Sequence, residues 1–196
     1  MGNWIEVELY RANERYMELL MDMARHDATP MFSLVGDIRE ELVGLDPASK
    51  LRVAQRSYLL IDFRFKDEPW WQAARSGTDE SPIEMWSSHF PRGAAVEVAR
   101  RVLTLAWTAA GLRSSRLGSQ SGLTSGVAEI VRAMTLEEME RIAERYVACM
   151  RPRWEERIAI WRRLLEAARK EDSQTLQSID LHGAQLLAIE LMSKGG

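Results

Sequence analysis

The amino-acid sequence reads onto itself at an offset of 89 residues, with no gap needed through the best-matching stretch. LDPASKLRVAQRSYLLIDFRF, Leu45 to Phe65, lies over MTLEEMERIAERYVACMRPRW, Met134 to Trp154, so that Arg52, Ala54, Arg56 and Arg64 recur as Arg141, Ala143, Arg145 and Arg153. Upstream, Glu8, Arg11, Leu34 and Glu40 recur as Glu97, Arg100, Leu123 and Glu129, and Val7, Leu9, Ile38 and Leu42 meet Val96, Val98, Val127 and Val131. Identity is low, and the shared apolar pattern carries the match. A chain that holds the same helical unit twice is expected to fold as a covalently fused dimer.

The unit itself is helical. From Trp4 to Arg25, Ile5, Leu9, Ala12, Tyr16, Leu19, Leu20 and Met23 recur every three or four residues and make one broad apolar stripe. Asp27, Thr29 and Pro30 end this helix, and Thr29 caps a short one expected over Met31–Val43, which closes at Gly44. Asp46 and Pro47 open a third, carrying Leu51, Ala54, Tyr58, Leu59 and Phe63. In the second copy Thr135 stands where Asp46 does, with Glu138 three residues on, the pattern of a capping box. The expected architecture is all-α: a first unit over 1–66, a Trp-rich connector with short helices over 67–91, and a second unit with a C-terminal helical region over 92–196. Gly111 to Gly126, rich in serine and glycine, reads as a mobile loop.

Composition excludes several classes. With 46% apolar and 28% charged residues the chain reads as an ordinary globular protein. It lacks both an apolar run long enough to span a bilayer and the basic-then-apolar start of a signal peptide, so a cytoplasmic location is expected. Cys149, the single cysteine, reads as a small hydrophobe. The net charge of −3 hides an asymmetry: residues 1–89 hold ten Lys or Arg against sixteen acids, residues 90–196 sixteen against thirteen. Much of the positive charge falls in Arg151, Arg153, Arg157, Arg162, Arg163, Arg169 and Lys170, the candidate surface for nucleic-acid phosphates. A solvated helix face, with Glu155 and Glu156 pairing along the helix, is the other reading. At a pI near 5.7 the chain is not expected to hold DNA tightly alone.

Chemistry is sparse. His26, His89 and His182 share no metal-ligand spacing, Asp37, Glu40 and Glu41 read as a wet helix face, and Gly118, Gly122 and Gly126 lack the lysine of a phosphate-binding loop. No metal, no cofactor and no catalysis are expected. Met17, Met21, Met23 and Met31 read as core. Trp70, Trp71 and Trp86, which a plain linker would not carry, read as anchors for the protein's own core or for a partner.

The stretch LYRANERYMELLMDMARHDATPMFSLV followed by LDPASKLRVAQRSYLLIDFRF resembles the flagellar transcriptional activator family FlhD. In that family an N-terminal helix, an MF-containing turn and a helix ending in HFRF occur in this order. Asp62, Phe63, Arg64 and Phe65 stand at that ending, and Leu176, Gln177, Ile179 and His182 match the last helical region. The resemblance covers residues 5–65 and returns in degraded form over 94–192. It implies an all-α, non-enzymatic transcriptional regulator that assembles with an FlhC-like subunit and binds promoter DNA within that complex. This chain would be a single-chain version of the dimer, with further self-association left open. The implied partner surface comprises Phe63, Phe65, Trp70, Trp71 and Trp86. A protein that sequesters the FlhC-like subunit, or a small-molecule-binding helical bundle, are the alternatives. Where some family members carry a cysteine before FRF, this chain has Ile61 and Met150, and the second copy reads RPRW.

Overall fold

The structure, a computed structural model, describes residues 2–27, 30–78, 91–112 and 120–193. These residues are all-α apart from one two-stranded ribbon, and no helix among them is long and apolar enough to cross a membrane. Helix α1, Gly2–His26, turns the predicted stripe inward, so that Ile5, Leu9, Ala12, Tyr16, Leu19, Leu20 and Met23 are all buried. Burying side chains of the larger sizes contributes on the order of 1.5–3 kcal/mol each, so packing rather than propensity fixes the helix. Met17 and Met21 are core residues too, while Met31 is half-buried. The Arg39 guanidinium closes the end of α1 by donating to the carbonyls of Ala24 (2.7 Å) and Asp27 (2.5 Å). Thr29, the expected cap of the next helix, lies outside the described residues.

The helix expected over Met31–Val43 is in fact two, α2 (Ser33–Asp37) and α3 (Arg39–Val43), parted at Ile38 (φ −120°, ψ 25°). The break lets Leu34, Val35, Ile38 and Leu42 all bury where α2 and α3 pack on α1. Helix α4, Pro47–Ala54, opens as its sequence predicts: the Asp46 carboxylate accepts from the N–H groups of Ala48 (2.9 Å) and Ser49 (3.0 Å). Its expected continuation through Tyr58, Leu59 and Phe63 is not there. Buried Asn13 of α1 holds the chain in an irregular path instead, donating to the carbonyls of Ala54 (3.1 Å) and Tyr58 (2.9 Å) and accepting from the Leu60 N–H (2.8 Å). Leu51, expected on the apolar stripe, is exposed.

The ribbon strand β1 (Ile61–Asp62) and α5 (Glu68–Ser76) follow, then α6 (Arg92–Gly111), α7 (Ser125–Arg132) and α8 (Leu136–Arg145). A 3-10 turn (Val147–Cys149), β2 (Arg151–Pro152), α9 (Ile158–Arg169) and α10 (Ser173–Met192) complete the described chain. Helix α6 packs along α1 and also against α7 and α8. Helix α8 opens with the predicted capping box, Thr135 Oγ1 accepting from the Glu138 N–H (3.2 Å) and Glu138 Oε2 from the Thr135 N–H (2.6 Å).

Strands β1 and β2 pair antiparallel, Ile61 with Pro152 and Asp62 with Arg151. At the starts of α4 and α8 the 89-residue offset holds, Asp46 and Thr135 being the respective caps. From the ribbon onward the offset is 90. The strands begin at Ile61 and Arg151, each is followed by a left-handed residue, Arg64 (φ 51°) and Trp154 (φ 55°), and the caps of α5 and α9 are Asp67 and Arg157. Trp71 and Trp161, 90 residues apart, are both buried, and their indole N–H groups donate to the carbonyls of Arg64 (2.8 Å) and Arg153 (2.9 Å), acceptors that stand 89 residues apart. The second half thus holds one extra residue before its strand, where it forms the 3-10 turn. This corrects the ungapped match of Arg64 with Arg153. Arg153 occupies the inward-facing place of Phe63, and the counterpart of exposed Arg64 is Trp154.

Helix α10 docks through Leu176, Ile179, Gly183 and Leu187. Polar contacts fix it at both ends: Arg56 Nη1 donates to the Leu176 carbonyl (2.7 Å), the Ser57 N–H to Asp180 (2.9 Å), and Lys66 Nζ and Trp154 Nε1 to the Glu190 carboxylate (2.9 and 2.8 Å). Burial would raise the pKa of Glu190, but the Lys66 and Trp154 hydrogen bonds and the charges of Lys66 and Arg153 outweigh it and hold the carboxyl below its ordinary 4.5. A carboxyl depressed in the folded state stabilises above its unfolded pKa, and that contribution is lost as pH falls through the folded value. The C-terminal half of α10 is therefore expected to loosen below about pH 4.5. In an acid titration the Trp154 indole N–H resonance should shift in this window in the wild-type chain and not in Glu190→Gln.

Candidate interaction site

The four described aromatics expected to form a partner surface are core residues instead. Phe63, Phe65 and Trp71 are fully enclosed and Trp70 is 6% exposed. Phe65 stacks on Trp71 (centroids 6.0 Å apart, planes 7°), and Trp70 meets Trp71 and Tyr146 edge-on, each at 5.2 Å. Such ring pairs add about 0.5–1.5 kcal/mol each beyond the area they bury. Adjacent indoles can both be buried here because α5 is covered by α7 and α8. A buried ring offers a partner no surface, so the partner-binding role of these four is corrected to core packing. The Arg64 guanidinium covers Trp70 at 5.3 Å from its ring centroid. Trp86, His89 and residues 113–119 of the serine-rich loop, Gly118 among them, lie outside the described residues.

The basic stretch is mostly committed to the protein itself. Arg153 is 2% exposed. Its Nε donates to the Leu59 carbonyl (2.7 Å) and its Nη2 to those of Ile61 (2.8 Å) and Ser121 (2.9 Å), while Nη1 has no partner among the described residues. Burial lowers its pKa, opposed by the charges of Asp62 and Glu190 and by Tyr58. Gly122 (φ 76°) makes room for it, since a Cβ there would stand 2.6 Å from Nη1. Arg153 therefore cannot reach DNA, and its predicted phosphate contact is corrected to an internal clamp.

The remaining six cations sit at the surface, and five of them have protein partners. Arg162 donates to the Asp37 carbonyl (2.9 Å) and pairs with Glu41 (3.2 Å), and Arg169 donates to the Glu41 carbonyl (2.5 Å). Both thus face the carbonyl ends of α2 and α3, where a cation is worth about 0.3–1 kcal/mol. Arg52 of α4 reciprocates on the Ala168 carbonyl at the end of α9 (2.6 Å). Arg151 pairs with Glu155 and Arg157 with Glu156, both at 3.8 Å, and Lys170 with Glu166 at 2.7 Å. Arg163 is exposed. Cations already holding carboxylates and carbonyls must surrender those contacts to meet a phosphate, which weakens the salt-dependent gain of nucleic-acid binding. Asp37 and Glu40 are exposed, as a wet face predicts, with Glu41 half-buried.

A cleft of about 490 Å³ opens between α1, the start of α4 and the start of α6. Leu19, Met21, Leu45 and Val98, all buried, form its apolar floor. Its rim is charged and largely self-paired: Arg15 meets Glu18 at 2.7 Å, and Lys50 meets Glu18 at 2.5 Å and Glu14 at 3.1 Å. Burial would raise the Glu18 pKa, but hydrogen bonds from Lys50 and Arg15 prevail and lower it. Ala94 and Arg25 stand exposed at the rim. Sequence reasoning missed this cleft. Its one sequence signal is Arg15, Glu18, Asp22 and Arg25, spaced by three and four along α1 beside the apolar stripe. No protein-family model, no curated protein and no solved structure matches the chain.

Proposed function

We propose that the chain is a non-enzymatic transcriptional regulator of the FlhD type. Two helical units fused in one polypeptide take the place of a dimer and scaffold an FlhC-like subunit on promoter DNA, activating flagellar or related operons in the cytoplasm. The observation that carries this reading is the pairing of like with like in the ribbon. With counterparts 90 residues apart, Ile61–Pro152 and Asp62–Arg151 are one contact made twice with the roles exchanged, as in an isologous dimer interface. The counterpart helices α1 and α6 also pack together. Both features support a fused pseudo-dimer, and the FlhD-like stretch supports the kind of protein it is.

The FlhC-like subunit docks in the cleft. Its polar groups satisfy one another instead of converging on a small ligand, which leaves the apolar floor for a protein segment. DNA is contacted mainly through the complex. The chain co-purified with an FlhC-like subunit is expected to capture it and enhance its promoter shift. Ala94→Arg, which fills the cleft from an exposed position, should cut capture at least about tenfold, or about 1.4 kcal/mol, with melting unchanged. Absence of capture by the wild-type chain would sink the proposal. The internal commitments of Arg153, Arg162 and Arg169 favour a second reading, a protein that holds the same subunit away from DNA. In that case capture persists and the promoter shift is abolished.

A further inference from the structure

From Leu181 onward helix α10 is apolar on two sides, and the protein covers only one of them; the outer side of its first two turns carries Gln174, Gln177 and Ser178. Leu176, Ile179, Gly183 and Leu187 face inward, while Leu181 (63% exposed), Ile189 (63%) and Met192 (80%) lie on the outside with exposed Ala184, Gln185 and Ala188. Its charge distribution indicates what covers the outer face. The chain averages 28% charged residues, yet the 20 residues of α10 hold no Lys or Arg and only two carboxylates. Both are committed inward, Asp180 to the Ser57 N–H and Glu190 to Lys66 and Trp154. The outer stripe, Leu181 to Met192 over roughly 17 Å, therefore carries no Lys, Arg or carboxylate, and exposed His182 stands beside it.

We propose that this stripe is a self-association surface, on which α10 of a second copy lies antiparallel. A charged partner would find no counter-charge on it, whereas the same stripe in a second copy meets it without repulsion or a desolvated ion. The order of side chains fits that pairing. An antiparallel match centred between Leu186 and Leu187 sets Leu181 against Met192 of the second copy and Gln185 against its Ala188. Large residues then face small or flexible ones, the condition for interdigitation, and the antiparallel helix dipoles attract. The two-fold axis makes each of these contacts twice. This contact is separate from the cleft and does not rest on the regulator reading.

The test is the solution mass of the full-length chain by light scattering and sedimentation equilibrium. The wild-type chain is expected at twice its 22.4 kDa mass. Leu181→Glu and Met192→Lys, at exposed positions, should each leave a folded monomer with an unchanged melting curve. Each is expected to raise the dimer dissociation constant at least about 100-fold, because an ion is buried in an apolar seam without a partner. Mixing the two variants should restore the dimer, since antiparallel packing places the new glutamate opposite the new lysine. A monomeric wild-type chain, or a dimer indifferent to Leu181→Glu, overturns the proposal. Failure of the mixture to associate overturns the antiparallel register. If the wild-type chain is monomeric and Leu181→Glu instead loses the FlhC-like subunit while Ala94→Arg keeps it, the stripe belongs to that subunit and the self-association proposal falls.

Discussion

Replacing Arg153 by methionine is expected to destabilise the fold by roughly 3–6 kcal/mol, a large part of the 5–15 kcal/mol typical of a whole domain. Two effects oppose each other. A guanidinium enclosed with no ion-pair partner among the described residues is costly to desolvate, and removing it gives that cost back. Its partners, however, are main-chain carbonyls of Leu59, Ile61 and Ser121, which no side-chain substitution removes. Each carbonyl left dry and unpaired costs about 1–3 kcal/mol, so the loss outweighs the relief. Lysine should not rescue the site. Its single ammonium cannot span three carbonyls, and it loses its proton more readily than a guanidinium when buried. Urea unfolding is the measurement: both variants should lower the midpoint at an unchanged slope. Midpoints near wild type would mean that the carbonyls find other donors and that Arg153 does not hold the ribbon.

Arg153 marks where the information in a local sequence pattern ends. Helices set by local rules are legible: the α1 stripe, the Asp46 cap and the Thr135–Glu138 box all stand where spacing and capping chemistry put them. The all-α class follows from them. The segment after α4 is decided by Asn13, 41 residues before the first carbonyl it binds, and no local pattern announces such a bond. The one-residue slip at the 3-10 turn then turns an apparent repeat of Arg64 into a residue that replaces Phe63 in the core. An arginine in a basic run looks the same whether it points to water or to three carbonyls. The cleft was illegible for a related reason: its rim residues on α1 are visible as spaced charges, but Lys50, Leu45 and Val98 reach them only through the packing of α4 and α6. Trp70 and Trp71 show the reverse case, since their size signalled burial and only the covering element, the protein's own α7 and α8, had to come from the fold.

Gly183→Ala is expected to lower stability by about 1–3 kcal/mol, although the same change in an open helix gains up to about 1 kcal/mol. An added Cβ would overlap Cε1 and Cζ of the Tyr58 ring and stand 2.6 Å from its hydroxyl. Tyr58 is 1% exposed and wedged edge-on against Trp154 at 5.3 Å, so the ring has nowhere to turn and α10 must lift. Gly126→Ala makes the comparison that isolates this cause. Its Cβ would collide with the Glu68 carboxylate at least as closely, but that group is the exposed end of a flexible side chain and moves aside at little cost. Hydrogen exchange should therefore show α10 amides losing protection in Gly183→Ala while α7 amides in Gly126→Ala keep theirs. Adding Tyr58→Leu to Gly183→Ala should recover part of the loss, whereas Tyr58→Phe should not, because ring carbons rather than the hydroxyl are the obstacle. If Tyr58→Phe restores α10 fully, the clash is with the hydroxyl alone, and the close packing of α10 on the ring has to be abandoned.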